Sequence, residues 1–153
     1  MKTTVCKYIL YAAYGFIYLM NITSCNKSDD KTATNSFTWS YGSSNYSANF
    51  NGAYLTGSLS STPIIIGGTG TQLISPGTGP TISLASFNLN TYNLATAPNS
   101  IYYVDDLGNP SNAISGSVNI TGYSNSLISG NFTATLVNNV VVSGNFSNVP
   151  VHP

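Results

Sequence analysis

From Phe37 onward, apolar residues recur at every second position in short runs, and the runs are separated by Gly, Pro, Asn and Ser. That period of two is the signature of strands with one buried face. Phe37-Thr38-Trp39-Ser40-Tyr41 alternates, as does Tyr46-Ser47-Ala48-Asn49-Phe50, with Gly42 to Asn45 between them. Pairing Tyr41 with Tyr46 sets Trp39 opposite Ala48 and Phe37 opposite Phe50, which predicts a hairpin with an aromatic inner side. Asn51-Gly52 predicts a turn or bulge before Ala53 to Ser60, where Ala53, Leu55 and Leu59 share a face. Pro63 to Ile66 reads as a buried strand. Thr81 to Leu89 begins as a strand with Ile82 and Leu84 and changes phase at Phe87; Thr91 to Leu94 and Ile101 to Val104 follow. No stretch beyond Phe37 has the three-and-four spacing of a helix. The expected fold is all-β, an antiparallel β-sandwich or open barrel.

The closing segment repeats. Ile114-Ser115-Gly116, Ile128-Ser129-Gly130 and Val142-Ser143-Gly144 recur at intervals of 14 residues, which predicts a C-terminal three-stranded meander. Asn125 and Asn139 occupy equivalent places, and asparagine tolerates the left-handed backbone that ends a three-residue hairpin loop. Loops at Tyr123-Ser124-Asn125 and Val137-Asn138-Asn139 would place Phe132 between Gly116 and Gly144, and Gly130 between Val118 and Phe146. A two-residue Asn138-Asn139 turn is the rival.

The chain before Phe37 follows another pattern. Lys2 and Lys7 flank a basic start, an apolar run of 13 residues extends from Tyr8 to Met20, and Thr23-Ser24 precede Cys25. A helix that crosses a bilayer takes about 20 residues, so this is the layout of a secretory signal. Ile22-Thr23-Ser24-Cys25 resembles the bacterial lipobox. The resemblance implies a diacylglyceryl thioether on Cys25, cleavage before it and acylation of the new amino terminus; two or more acyl chains give stable anchoring. Asn26-Lys27-Ser28-Asp29-Asp30 is similar to the surface-export signals of Bacteroidota lipoproteins, and reads equally as a solvated tether. The expected organisation is residues 1–24 as a lipoprotein signal peptide, 25–36 as lipidated cysteine and flexible tether, and 37–153 as a single all-β domain.

Charge narrows the function. Four lysines and four aspartates are all the formal charges in the chain, and beyond Lys31 only Asp105 and Asp106 remain, with His152 near the end. Without cations a domain cannot neutralise phosphates, so nucleic acid is excluded as a partner. General acid-base catalysis needs tuned His, Glu, Asp or Lys, and the many hydroxyls have no base beside them, so no enzyme and no cofactor is expected. The alternative is a hydrolase using Asp105 and Asp106, which requires both in a concave pocket with raised pKa values. Asp105-Asp106-Leu107-Gly108-Asn109-Pro110 reads as a turn in preference to a calcium loop. Gly67-Gly68-Thr69-Gly70 lacks the Lys-Ser/Thr of a phosphate loop and reads as a mobile strand connection.

The lipobox, the early T-W-S-Y and Y-S-A-N-F strands, the mid-domain T-Y-N-L and the closing S-G-N-F-T and S-G-N-F-S-N-V together resemble small Bacteroidota lipoproteins of unassigned function. The resemblance implies a lipid-anchored protein of the outer membrane, exposed at the cell surface or held within the envelope. The expected role is a non-catalytic binding or assembly module whose partners are the membrane, through Cys25, and a glycan or envelope protein. Candidate contact residues are Tyr41, Tyr46, Tyr54, Tyr92, Tyr102, Tyr103 and Tyr123, flat rings with a polar tip. Three or more exposed in a row would favour a glycan, and one flat apolar patch a protein.

Overall fold

The computed structural model describes residues 34–55, 62–70 and 77–153. The alternating runs form ten strands: β1 (Ser36–Tyr41), β2 (Ser44–Ser47), β3 (Phe50–Tyr54), β4 (Ile64–Gly68), β5 (Gly79–Ser83), β6 (Thr91–Asn93), β7 (Ser100–Val104), β8 (Pro110–Ser124), β9 (Leu127–Leu136) and β10 (Val141–His152). The first strand starts at Ser36, one residue before the expected domain boundary. Cys25, the tether up to residue 33, Leu59 and Ser60 lie outside the described residues.

Strands β3-β4-β5-β7-β8-β9-β10 close into a seven-stranded barrel, with β1 and β2 added on β10 and β6 added on β8. The all-β expectation holds, and the barrel is closed, not open. Closure depends on two long strands that belong to two walls at once. β8 pairs with β7 through Pro110 to Asn112 and with β9 from Ala113 onward, while β10 pairs with β1 up to Ser147, with β9 up to Pro150 and with β3 through Val151 and His152. The ladder slips at Ala113/Ser115 and again at Phe146/Val149; such bulges bend a strand and let it change walls. The β10–β3 junction is parallel, so the sheet departs from the expected all-antiparallel pairing there.

The inward positions are those the alternation marks. Phe37, Trp39, Ile65, Ile82, Ile101, Tyr103, Val118, Ile120, Ile128, Phe132, Leu136, Val142 and Phe146 form the core, and each large side chain contributes roughly 1.5–3 kcal/mol of burial. The Phe37 ring lies 5.9 Å from Phe132, 5.7 Å from Phe146 and 6.0 Å from Trp39. Asn51 shares the inward face of β3 with Ala53, and its Oδ1 is buried with no hydrogen-bond partner. Asn51-Gly52 is therefore part of β3 and not a turn: strand pairing with Gly67 and Ile66 overrides the local turn preference. Gly67 and Gly68 likewise lie in β4, fully buried.

The predicted registers are right in one hairpin and wrong in two. Between β9 and β10, Asn139 has φ 62°, Leu136 N donates to Val140 O at 2.9 Å, Gly144 pairs Phe132 and Gly130 pairs Phe146. The three-residue loop is present and the two-residue rival is not. Between β8 and β9 the loop is instead the pair Asn125-Ser126, with φ 51° and 57°, and Phe132 pairs Val118 where Gly116 was expected. Phe132 is thus flanked by one glycine, not two, and Gly130 pairs Ile120 on that side. The β1–β2 connection is also tighter: Gly42-Ser43 turns the chain, so Trp39 pairs Tyr46 and not Ala48, and Phe50 belongs to β3. A Ser126 that accepts a left-handed backbone is what the asparagine-only argument missed.

The outer side of the six-stranded wall, β2-β1-β10-β9-β8-β6, is a lattice of neutral polar residues. One row runs Ser47, Thr38, Asn145, Asn131, Asn119, Thr91, each paired with the next. The adjacent row runs Asn45, Ser40, Ser143, Thr133, Ser117, Asn93.

Candidate ligand cleft

At the end of the barrel where β1 stops and β10 starts, three connections meet: Gly42-Ser43, the Asp105 to Asn109 turn and the Val137 to Asn139 loop. The last two border a cleft of about 510 Å³ lined by Tyr41, Tyr103, Asp105, Asn109, Pro110, Ser111, Asn112, Val137 and Asn138. Tyr41 is inward by its parity with Phe37 and Trp39, but it is the last residue of β1, so its half-buried ring closes the barrel end. It stacks on Tyr103 at 4.6 Å and 8°.

The loops hold their side chains by local bonds. Asn138 Oδ1 accepts from Val140 N (3.2 Å) and its Nδ2 donates to the Tyr41 hydroxyl (3.0 Å); the loop backbone consumes the oxygen and so turns the NH2 toward the ring. Val137 N donates to Asn112 O at 3.0 Å, tying this loop to β8. Asp105 organises the other rim. Its Oδ1 accepts from Leu107 N (2.9 Å) and Asn109 N (2.8 Å), and its Oδ2 from Asn109 Nδ2 (3.1 Å), the expected Asx-type turn. The Asn109 backbone N–H, then its side-chain amide, hold the Asp105 carboxyl below the usual carboxylate range.

Behind the cleft lies an aromatic support. Tyr46 stacks on Trp39 at 5.4 Å and 9°, and its hydroxyl donates to Asp106 Oδ2 at 2.7 Å. That bond, followed by partial burial, raises the Tyr46 pKa. Trp39 Nε1 donates to the Tyr103 hydroxyl at 3.2 Å. Burial pushes the Tyr103 phenol up to about 12, against the opposing pull of the Trp39 hydrogen bond.

The seven tyrosines do not converge. Tyr92 and Tyr103 are 7% and 0% exposed, so both are core residues and neither presents a free face. Tyr54 stacks on His152 at 5.0 Å. Tyr102 and Tyr123 are exposed on β7 and at the far end of β8, and Tyr123 meets Phe87 edge-on at 6.3 Å. No exposed row of three exists among the described residues; at the cleft, Tyr103 is buried and Tyr41 is the half-buried ring with an oriented polar partner. Asp105 and Asp106 adjoin this end of the barrel but point to different tasks, Asp105 into its own turn and Asp106 to Tyr46. Among the described residues, no group of three or more His, Cys, Asp or Glu side chains is placed to hold a metal ion. Asn109, Asn112 and Asn138 had no sequence signal beyond turn propensity. No protein family, curated protein or solved structure matches the chain.

Proposed function

We propose that the protein is a lipid-anchored lipoprotein of the outer membrane or cell surface that binds an uncharged glycan, without catalysis, in the Tyr41 cleft. The observation that carries this reading is the lining: a tyrosine ring with an amide aimed at its hydroxyl, further amides and a serine, and no cation. Aromatic faces with neighbouring donors and acceptors suit a sugar's C–H face and hydroxyls. A protein partner would ask for a large apolar anchor filling a pocket, and the aliphatic lining of the cleft is Val137 and Pro110. Asp105 speaks for a binding role, because its oxygens are taken by backbone and amide donors and its pKa is lowered, opposite to a general acid.

Placement supports the same reading. Thr34 O lies 3.5 Å from Asn148 Nδ2, beyond the Ser36 end of β1, while Tyr41 ends the other side. Thr34 thus lies at the pole of the barrel away from the cleft. The test is a glycan array probed with the detergent-solubilised protein and with Tyr41→Ala. Binding to neutral glycans that falls tenfold or more, about 1.4 kcal/mol, supports the reading; unchanged binding ends it.

A further inference from the structure

The six-stranded wall carries a second surface that the cleft does not use. Its two rows contain twelve residues, all Ser, Thr or Asn. Neighbours in a row stand about 4.8 Å apart and the rows about 7 Å apart. Inward positions of the same strands are filled by Phe37, Trp39, Phe132, Val142 and Phe146, so the core fixes the lattice from below. Across β2, β1, β10 and β9 the rows line a groove of about 560 Å³ with Thr38, Ser40, Asn45, Asn131, Ser143 and Asn145, and the strand positions between them, Trp39, Tyr46, Phe132 and Gly144, complete its lining. Three strand spacings make it about 14 Å long.

Little of this hydrogen-bonding capacity is used within the protein. Ser40 and Ser143 share a bond of 3.0 Å and Thr91 donates to Asn119 at 3.3 Å. Asn131, Thr133 and Asn145 are exposed and their side chains bond to no other described residue. The three amides in line, Asn145, Asn131 and Asn119, do not form a ladder with one another.

The chemistry of the face selects its occupant. Its two rows hold no cation for phosphate or an acidic polymer and no apolar side chain to anchor a protein or a lipid. Every side chain in these rows both donates and accepts, which matches a molecule carrying hydroxyls along its length. The sheet twists by roughly 20–25° per strand, so the rows bend and do not present the plane that an ice crystal would need, whereas a chain molecule can follow them. We propose that the outer face of this wall, centred on the groove at Asn131 and Asn145, binds an extended, uncharged polysaccharide chain.

The proposal stands apart from the cleft, and the experiment separates the two. Retention of the protein on insoluble cellulose, chitin and yeast β-glucan is measured, with alginate as the acidic comparison, for the wild type, Asn119→Ala/Asn131→Ala/Asn145→Ala, Thr133→Lys and Tyr41→Ala. The wild type is retained on at least one neutral polymer and not on alginate. The triple variant and Thr133→Lys, which projects a long side chain across the groove, each lose tenfold or more with thermal midpoints near that of the wild type, and Tyr41→Ala keeps its retention. Should the triple variant fail to fold, Thr133→Lys decides. Retention on none of the neutral polymers, or retention unchanged in Thr133→Lys, overturns the proposal; loss only in Tyr41→Ala assigns polymer binding to the cleft and overturns it as well.

Discussion

At single residues, the contacts of glycine backbones with phenylalanine rings decide what the core tolerates. A Cβ on Gly130 would meet the Asn119 carbonyl oxygen and come within 2.5 Å of the Phe146 ring, and on Gly144 it would meet the Thr38 carbonyl oxygen and the Phe132 ring at 2.7 Å. At Gly122 its first neighbour is 3.8 Å away. Gly130→Ala and Gly144→Ala are each expected to lower stability by about 1–3 kcal/mol or more through overpacking, and Gly122→Ala by less than about 0.5 kcal/mol, read from urea midpoints. Equal effects at all three would contradict the packing. This pairing of large rings with glycine was readable from the repeat of Ser-Gly and Phe. The cleft was not, because an asparagine such as Asn138 looks the same in sequence whether it only turns the chain or also reaches a tyrosine.

At the level of strands and hairpins, faces were legible and partners were not. Alternation fixes which residues point inward, and a register error of two positions leaves that set unchanged. So Phe37 and Trp39 were correctly placed on the inner side although Trp39 received the wrong partner, and Phe132 shares a face with Phe146 as expected although one of its two neighbours was misassigned. What hid the partners was loop length, which here rests on a serine, Ser126, at φ 57°. The Asn125-Ser126 turn has both residues left-handed, the geometry that favours Asn-Gly, and an L-residue there costs on the order of 1 kcal/mol. Ser126→Gly should therefore raise stability by roughly that amount, seen as an upward shift of the thermal midpoint. A fall would mean that the serine side chain contributes something the backbone geometry does not require.

For the molecule as a whole, the scarcity of charge makes its response to pH simple. Asp105 titrates lower in the fold than when unfolded, so its contribution is present above the usual carboxylate range and is lost as pH falls through it. Tyr103 titrates higher, at about 12, against roughly 10 for a free phenol; its contribution is complete below about 10 and is lost as pH rises from there toward 12. Thermal midpoints should be level between about pH 5 and 9 and drop on either side, and Tyr103→Phe should flatten the alkaline drop while lowering the plateau by about 1 kcal/mol for the Trp39 bond. A steep slope inside the plateau would mean a titrating site has been overlooked. Anchoring is tested separately: Cys25→Ala is expected to abolish incorporation of labelled fatty acid and to leave the protein unprocessed or free of the membrane, and label retained in that variant would rule the anchor out.

The parallel junction between β3 and β10 has one more consequence. It joins Ala53 and Tyr54 to Val151 and His152, with Leu55 N donating to His152 O at 3.1 Å. This pairing is among the most distant along the chain, and contacts so remote are slow to form. A ribosome delivers residue 151 long after residue 53, so throughout synthesis the nascent chain has no partner with which to seal its wall. A polypeptide whose ring closes with its final strand stays open until that strand arrives, the state in which a chain can still be threaded through a narrow pore.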